Sequence, residues 1–197
     1  MAIKQIVRIV LSLCMGGILV LQGCGKPEDP RFKEYQTLNP QKDFTLTDQN
    51  GQPFHLKDHR GELVFLFFGY LSCPDVCPTT LSKLAGVYSL LGSFKGKVLT
   101  VFVSVDPLRD TPARLKEYLE YFNIRSVGLT GTKEQLDLVV NAYKATYEKV
   151  ETGSAVGYLF NHSDYVYLID PQGMVRYLIR PEDKPQKIAD IIKVILK

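Results

Sequence analysis

The sequence predicts an α/β domain built around parallel strands, and three observations lead there. Residues 63–68 (LVFLFF) and 98–105 (VLTVFVSV) are apolar with almost no alternation, the pattern of strands covered on both faces. Each is followed by a segment whose apolar residues recur at helical spacing. The chain has 197 residues, 45% hydrophobic and 23% charged, which suits one domain of about 150 residues with a short appendage. That composition excludes disordered and collagen-like classes. A net charge of +3 without a basic stripe argues against a nucleic-acid partner. Four cysteines and three histidines are too few for a disulfide-dense scaffold or a ligand-rich metal cluster.

The elements follow in order. Phe44 and Leu46, then Asn50-Gly51, then Phe54 and Leu56 read as a hairpin with period-2 apolar positions on either side of its turn. After the strand at 63–68, Leu81, Leu84, Tyr88 and Leu91 form a helical stripe that stops at Gly92, a residue suited to a helix C-terminus. The strand at 98–105 leads to Thr111 as N-cap and Pro112 at the first helical position, with Leu115, Tyr118, Leu119 and Phe122 as the buried stripe. A further helix starts at Thr132, where Gln135 completes a capping box and Leu136, Val139, Val140 and Tyr143 face the core. Strands at 165–169 and 175–179 flank the turn Asp170-Pro171-Gln172-Gly173, and a last helix buries Ile188, Ile191, Ile192 and Ile195. The order β-hairpin, β, α, β, α, α, β, β, α is that of a thioredoxin-like fold with an N-terminal β-hairpin extension, its middle strands parallel and its closing pair antiparallel. The apolar stripes are read as core, not as binding faces.

The first residues carry a different message. Lys4 and Arg8 precede an apolar stretch of about 13 residues from Ile9 to Leu21, shorter than the roughly 20 that a membrane-spanning helix needs. Leu21-Gln22-Gly23-Cys24 resembles the lipobox of bacterial lipoproteins, although Gln22 departs from the small or apolar residue usual there. Residues 1–23 are therefore read as a signal peptide, Cys24 as the lipidated first residue of the mature chain, 24–40 as a tether with Pro27, Pro30 and Pro40, and 41–197 as the domain. Processing would remove Cys14 and leave Cys73 and Cys77 as free thiols, in a compartment where disulfides persist. The expected location is the cell membrane, facing the periplasm or an equivalent extracytoplasmic space.

Cys73 and Cys77 stand in GYLSCPDVCP (69–78), between the most buried strand and the helix after it, where open α/β sheets gather their sites. Pro78 fits the first helical position, which would leave Cys77 at or beside the N-cap and lower its pKa through the helix dipole, so that both sulfurs are available as thiolates. Two cysteines four apart with interleaved prolines are not ordinary core filler. A redox dithiol and a soft metal site, selective for copper or zinc over hard cations, both fit, and the motif alone does not separate them. A third ligand has three candidates. His55, in the hairpin, and His59, in a polar loop, read as solvated; His162, in Asn161-His162-Ser163, precedes a strand that enters at the sheet edge of the cysteine loop. Asp75 is weighed between shaping the loop and simple solvation, and Asp106 and Asp110 are given only the turn and helix start in DPLRDTP (106–112).

Three stretches, FFGYLSCPDVCP (67–78), SVDPLRDTPARLKEYLEYF (104–122) and HSDYVYLIDPQG (162–173), together resemble the Sco/SenC copper chaperones associated with cytochrome c oxidase assembly, and the likeness spans nearly all of residues 40–197. The resemblance implies a thioredoxin-like fold, copper as Cu(I) and Cu(II) held by Cys73, Cys77 and His162, and an extracytoplasmic setting. It also implies a recipient, the binuclear copper site of cytochrome c oxidase subunit II or another exported copper protein. Asn161 stands where the family commonly has Asp, a change expected to tune the imidazole. A monomeric carrier is expected, not an enzyme in the ordinary sense. The alternative is a thiol-disulfide oxidoreductase in which Cys73 and Cys77 cycle to reduce the recipient's cysteines. Against a dedicated reductase stand the extra residue in CxxxC and the absence of a Trp beside it; a peroxiredoxin-type peroxidase lacks its threonine-containing context.

Overall fold

The computed structural model describes residues 43–153 and 157–197; the signal peptide, the lipidation at Cys24 and the tether, all expectations from the sequence, lie outside the described residues. No described helix is long and apolar enough to cross a membrane.

The Asn50-Gly51 turn joins β1 (Thr45–Asp48) to β2 (Pro53–His55) in the antiparallel register Leu46 to Phe54. Asp48 fastens that turn by accepting the amides of Asn50 and Gln52. β3 (Leu63–Gly69) and β4 (Val98–Ser104) pair in parallel and every residue of both is buried, as their unbroken apolar runs require. α1 (Val76–Leu90) crosses between them, with Leu81, Leu84, Val87 and Tyr88 in the core, and the chain leaves it through Leu91 and Gly92, the latter at φ +56. Tyr88 is buried whole because its hydroxyl proton has acceptors within reach, the carbonyls of Val98 (3.1 Å) and Arg125 (3.0 Å).

α2 (Pro112–Glu120) begins as expected: the Thr111 hydroxyl accepts the Arg114 amide behind Pro112. Then comes β5 (Ser126–Thr130), a strand that the expected order lacks. It pairs parallel to β4 and antiparallel to β1. Five residues interrupted by Gly128 carry little strand signal; that glycine has no side chain because Leu115 and Leu119 of α2 close over it. α3 (Lys133–Ala142) starts from the Thr132–Gln135 capping box.

The second missed feature is a hairpin, β6 (Tyr147–Glu151) with β7 (Tyr158–His162), forming a two-stranded sheet of its own. β8 (Val166–Ile169) and β9 (Val175–Ile179) are the closing antiparallel pair, and α4 (Pro185–Ile195) packs against α1. The large sheet runs β2-β1-β5-β4-β3-β8-β9. With parallel strands in the middle and an antiparallel edge, it is the thioredoxin-like fold with an N-terminal hairpin.

Candidate metal centre

β3, the most deeply buried strand, delivers the chain at its carboxyl end into a short loop carrying Tyr70, Leu71 and Cys73 before α1 begins. The helix starts two residues earlier than its prolines suggest: Asp75 is the N-cap, Val76 the first residue, and Pro78 sits at the third position, where its missing amide is still no loss. Cys77 is therefore inside the first turn and completely buried, while Cys73 lies just outside the helix and is partly exposed. The Cys77 amide donates to the Cys73 sulfur at 3.5 Å. The positive end of the helix thus acts on Cys73, not on Cys77 as expected.

His162 is the last residue of β7 and not part of a loop. Its Nε2 lies 3.6 Å from the Cys77 sulfur, and the three donor atoms of Cys73, Cys77 and His162 all fall within 4.8 Å of one another. Nδ1 is 2.9 Å from the Ser163 carbonyl. A carbonyl only accepts, so the proton is on Nδ1 and the Nε2 lone pair faces the sulfurs. Rings hold the imidazole edge-on: Tyr70 at 5.7 Å and Phe67 at 6.0 Å between centroids. Asn161 points to the exposed face of β7, opposite His162, so the outer partner of the imidazole is the Ser163 carbonyl and the tuning expected from Asn161 has no contact to act through.

The other candidates lie elsewhere. His55 pairs with the Thr45 hydroxyl at 2.9 Å, and His59 stacks on Phe54 with centroids 4.8 Å apart. Asp75 is exposed at the N-cap position without a side-chain bond to the helix amides, and its carboxylate accepts the Thr79 hydroxyl at 3.3 Å. Among the described residues, Cys73, Cys77 and His162 are the group of His, Cys and acidic side chains placed to hold a metal ion.

Electrostatics separates the sulfurs. Cys73 is pulled down to about 3, chiefly by the hydrogen bond from the Cys77 thiol and further by the backbone amides of Asp75 and Cys77, against a burial effect of opposite sign. Cys77 is pushed far up, first by donating that same hydrogen bond and then by burial. The expectation of two available thiolates is thus corrected for the metal-free chain: Cys73 is the anion and Cys77 its proton-bearing partner. A soft metal held here would displace that proton and be bound by both sulfurs. Because the Cys73 pKa is lowered, its thiolate persists across the acidic range. Iodoacetamide is expected to modify Cys73 of the metal-free chain at a rate nearly flat between pH 5 and 7, with Cys77 unlabelled by peptide mapping. An ordinary thiol would gain about tenfold per pH unit there, and that slope at Cys73 would show the assignment to be wrong.

Phe160 and Tyr70, whose rings meet edge to face at 5.5 Å, are site residues that the sequence reading missed. The signal was present: Tyr158, Phe160 and His162 alternate along YLFNH with period 2, a strand pattern with histidine as its last inward position.

Comparison with known proteins agrees with this architecture. Residues 33–197 match the family model described as SCO1/SenC. An SCO2-like protein of Rickettsia felis is 35% identical over 196 residues, covering 97% of this chain and 96% of the relative. Among solved structures, Bradyrhizobium japonicum ScoI with copper bound is 37% identical, with TM-score 0.72, over 79% of this chain and 98% of that one. Yeast Sco1 with copper bound is 33% identical, with TM-score 0.69, over 78% and 86%. A thioredoxin-like sheet, a paired-cysteine loop closed by a histidine and a match over most of the chain converge: the chain belongs to the SCO1/SenC family of copper-binding proteins.

Proposed function

We propose that this chain is an exported, membrane-tethered copper carrier that holds Cu(I) or Cu(II) through Cys73, Cys77 and His162. The convergence of two sulfurs and an imidazole nitrogen within 4.8 Å carries the reading. Two thiolates select Cu(I), and an added imidazole also suits Cu(II). The relatives solved with copper bound support copper over zinc.

Three protein ligands leave a coordination position for an incoming donor. In handover, a sulfur or nitrogen of the recipient enters that position before Cys73, the more exposed ligand, departs, so copper passes by ligand exchange and is never released bare. The recipient is the binuclear copper site of cytochrome c oxidase subunit II or a similar exported copper protein. Lipidation at Cys24 and the tether to residue 40 confine carrier and membrane-bound recipient to one surface, which raises their effective concentration.

The thiol-disulfide alternative draws support from the unequal thiols. A Cys73 thiolate beside a protonated Cys77 is the arrangement in which one sulfur attacks a disulfide and the other resolves the mixed disulfide. Both uses share the same atoms, and a Cys73–Cys77 disulfide would exclude the metal.

Titration of the reduced chain with Cu(I), and separately with Cu(II), is expected to saturate at one ion per chain. Mixing the loaded chain with metal-free subunit II copper domain is expected to move the copper to that domain. Saturation without transfer would refute delivery while leaving binding intact; turnover of a disulfide substrate without copper binding would favour the oxidoreductase.

A further inference from the structure

The segment between β4 and α2, DPLRDTP, is used neither by the donor set nor by the handover, yet it contains two of the most deeply buried carboxylates in the described chain: Asp106 is 1% exposed and Asp110 0%. Burying a carboxylate is expensive unless it is hydrogen-bonded. Their partners lie on the two separate pieces of chain that carry the metal donors.

Asp110 faces the cysteine loop. One of its oxygens accepts the Leu71 amide at 2.9 Å and the Ser104 hydroxyl at 2.6 Å. Leu71 lies two residues before Cys73, in a loop where the Cys73 amide bonds locally, to the Tyr70 carbonyl at 3.3 Å. Asp106 faces the other way. It accepts the Tyr158 hydroxyl at 2.9 Å and is paired with the Arg109 guanidinium, which lies 3.7 Å over the Tyr158 ring and donates to the Tyr158 carbonyl at 3.0 Å. Tyr158 opens β7, and His162 ends it. The segment is itself rigid: the Ser104 hydroxyl receives the Asp106 amide at 3.0 Å, and the Asp110 amide returns to the Asp106 carbonyl at 2.9 Å.

We propose that residues 104–110 form a bracket that sets the distance between the cysteine loop and the histidine strand, with Asp110 positioning the sulfurs through Leu71, and Asp106 with Arg109 positioning the imidazole through Tyr158. Neither carboxylate is a ligand in this account; each acts through another residue. The bracket explains how a histidine on a small separate sheet is held against a loop of the large one, and why the acidic residues sit four apart: one faces each side of a single turn. It rests on the copper reading only for its effect on metal binding, since the geometry it sets exists in the metal-free chain.

The test uses the full chain in detergent, metal-free and copper-loaded, with Asp110→Ala, Asp110→Asn and Tyr158→Ala. In the metal-free chain, Asp110→Ala is expected to speed hydrogen exchange at the Leu71 amide at least tenfold, and Asp110→Asn, which keeps an acceptor oxygen, to restore near-parental exchange. With copper, Asp110→Ala is expected to weaken Cu(I) binding about 10–100-fold, the range seen when outer partners of a metal ligand are lost. Tyr158→Ala is expected to leave Leu71 exchange as in the parent, and to lower Cu(II) affinity about tenfold with an altered nitrogen hyperfine pattern. Parental Leu71 exchange in a folded Asp110→Ala chain overturns the cysteine half of the bracket, and a parental Cu(II) spectrum in Tyr158→Ala overturns the histidine half. If Asp110→Ala does not fold, accelerated Leu71 exchange in Asp110→Asn overturns the acceptor role and parental exchange there supports it. A parent that binds no copper refutes the carrier reading, whereas the exchange measurements still decide the bracket.

Discussion

Replacing His162 with alanine is expected to abolish the Cu(II) spectrum of this chain while Cu(I) remains bound by the two sulfurs. The imidazole supplies the one nitrogen donor within reach of Cys73 and Cys77 among the described residues, and its Nε2 lone pair already faces them because Nδ1 is engaged by the Ser163 carbonyl. Cu(I) is satisfied by two soft thiolates, whereas Cu(II) requires the harder nitrogen to complete its site. The loss of Cu(II) affinity is expected to exceed the ~10–100-fold that follows removal of a ligand's outer partner, since here the ligand itself goes. Equilibrium titration with EPR would measure it, and thermal unfolding of the metal-free variant would separate the effect from lost packing against Tyr70 and Phe67. An unchanged Cu(II) spectrum with one ion per chain would remove His162 from the donor set.

A single methyl group at Gly69 is expected to damage the same site from underneath. Gly69 ends β3, and a Cβ built there meets the Cys77 sulfur at 2.7 Å and the Phe102 ring at 2.8 Å. Neither neighbour has room to yield, because Cys77 and Phe102 are both completely buried, in α1 and in β4. Overpacking of this kind costs about 1–3 kcal/mol. The sulfur is the easier atom to displace, so Gly69→Ala is expected to lower the urea midpoint and weaken Cu(I) binding together. Gly128→Ala provides the control: its Cβ meets Leu119 at 2.8 Å and Leu115 at 3.0 Å, on the helix after β4. That variant should lose comparable stability and keep parental copper affinity. Equal copper affinity in both variants would mean that Gly69 is an ordinary strand end and not the floor of the site.

The two variants also mark where sequence reasoning succeeds and where it stops. The strands at 63–68 and 98–105 are legible because burial on both faces forces an apolar run, and the helix starts at Thr111 and Thr132 are legible because capping chemistry is local. β5 escaped because its stability comes from being sandwiched between β1 and β4 and roofed by Leu115 and Leu119, none of which is written in SVGLT itself. The hairpin β6–β7 escaped because half of its residues face solvent, so only the inward positions carry a signal.

The residue identities of the site were likewise available from the sequence. Two cysteines at the exit of the most buried strand, with interleaved prolines, announce sulfur chemistry, and the resemblance of three separated stretches pointed to His162. What each of those residues does was decided by the tertiary structure. Local reasoning placed Cys77 at the helix cap and gave it the dipole; the fold instead buries it in the first turn and turns the amides toward Cys73, so proton and negative charge settle on different sulfurs. Sequence alone was enough for the buried strands, the capped helices and the inventory of donors, because burial patterns and caps act within a few residues. Only the folded chain decided which donors meet, which sulfur ionises and what holds the two halves of the site at their distance, because hydrogen bonds such as Asp110 to Leu71 and Tyr158 to Asp106 join residues that no local pattern connects.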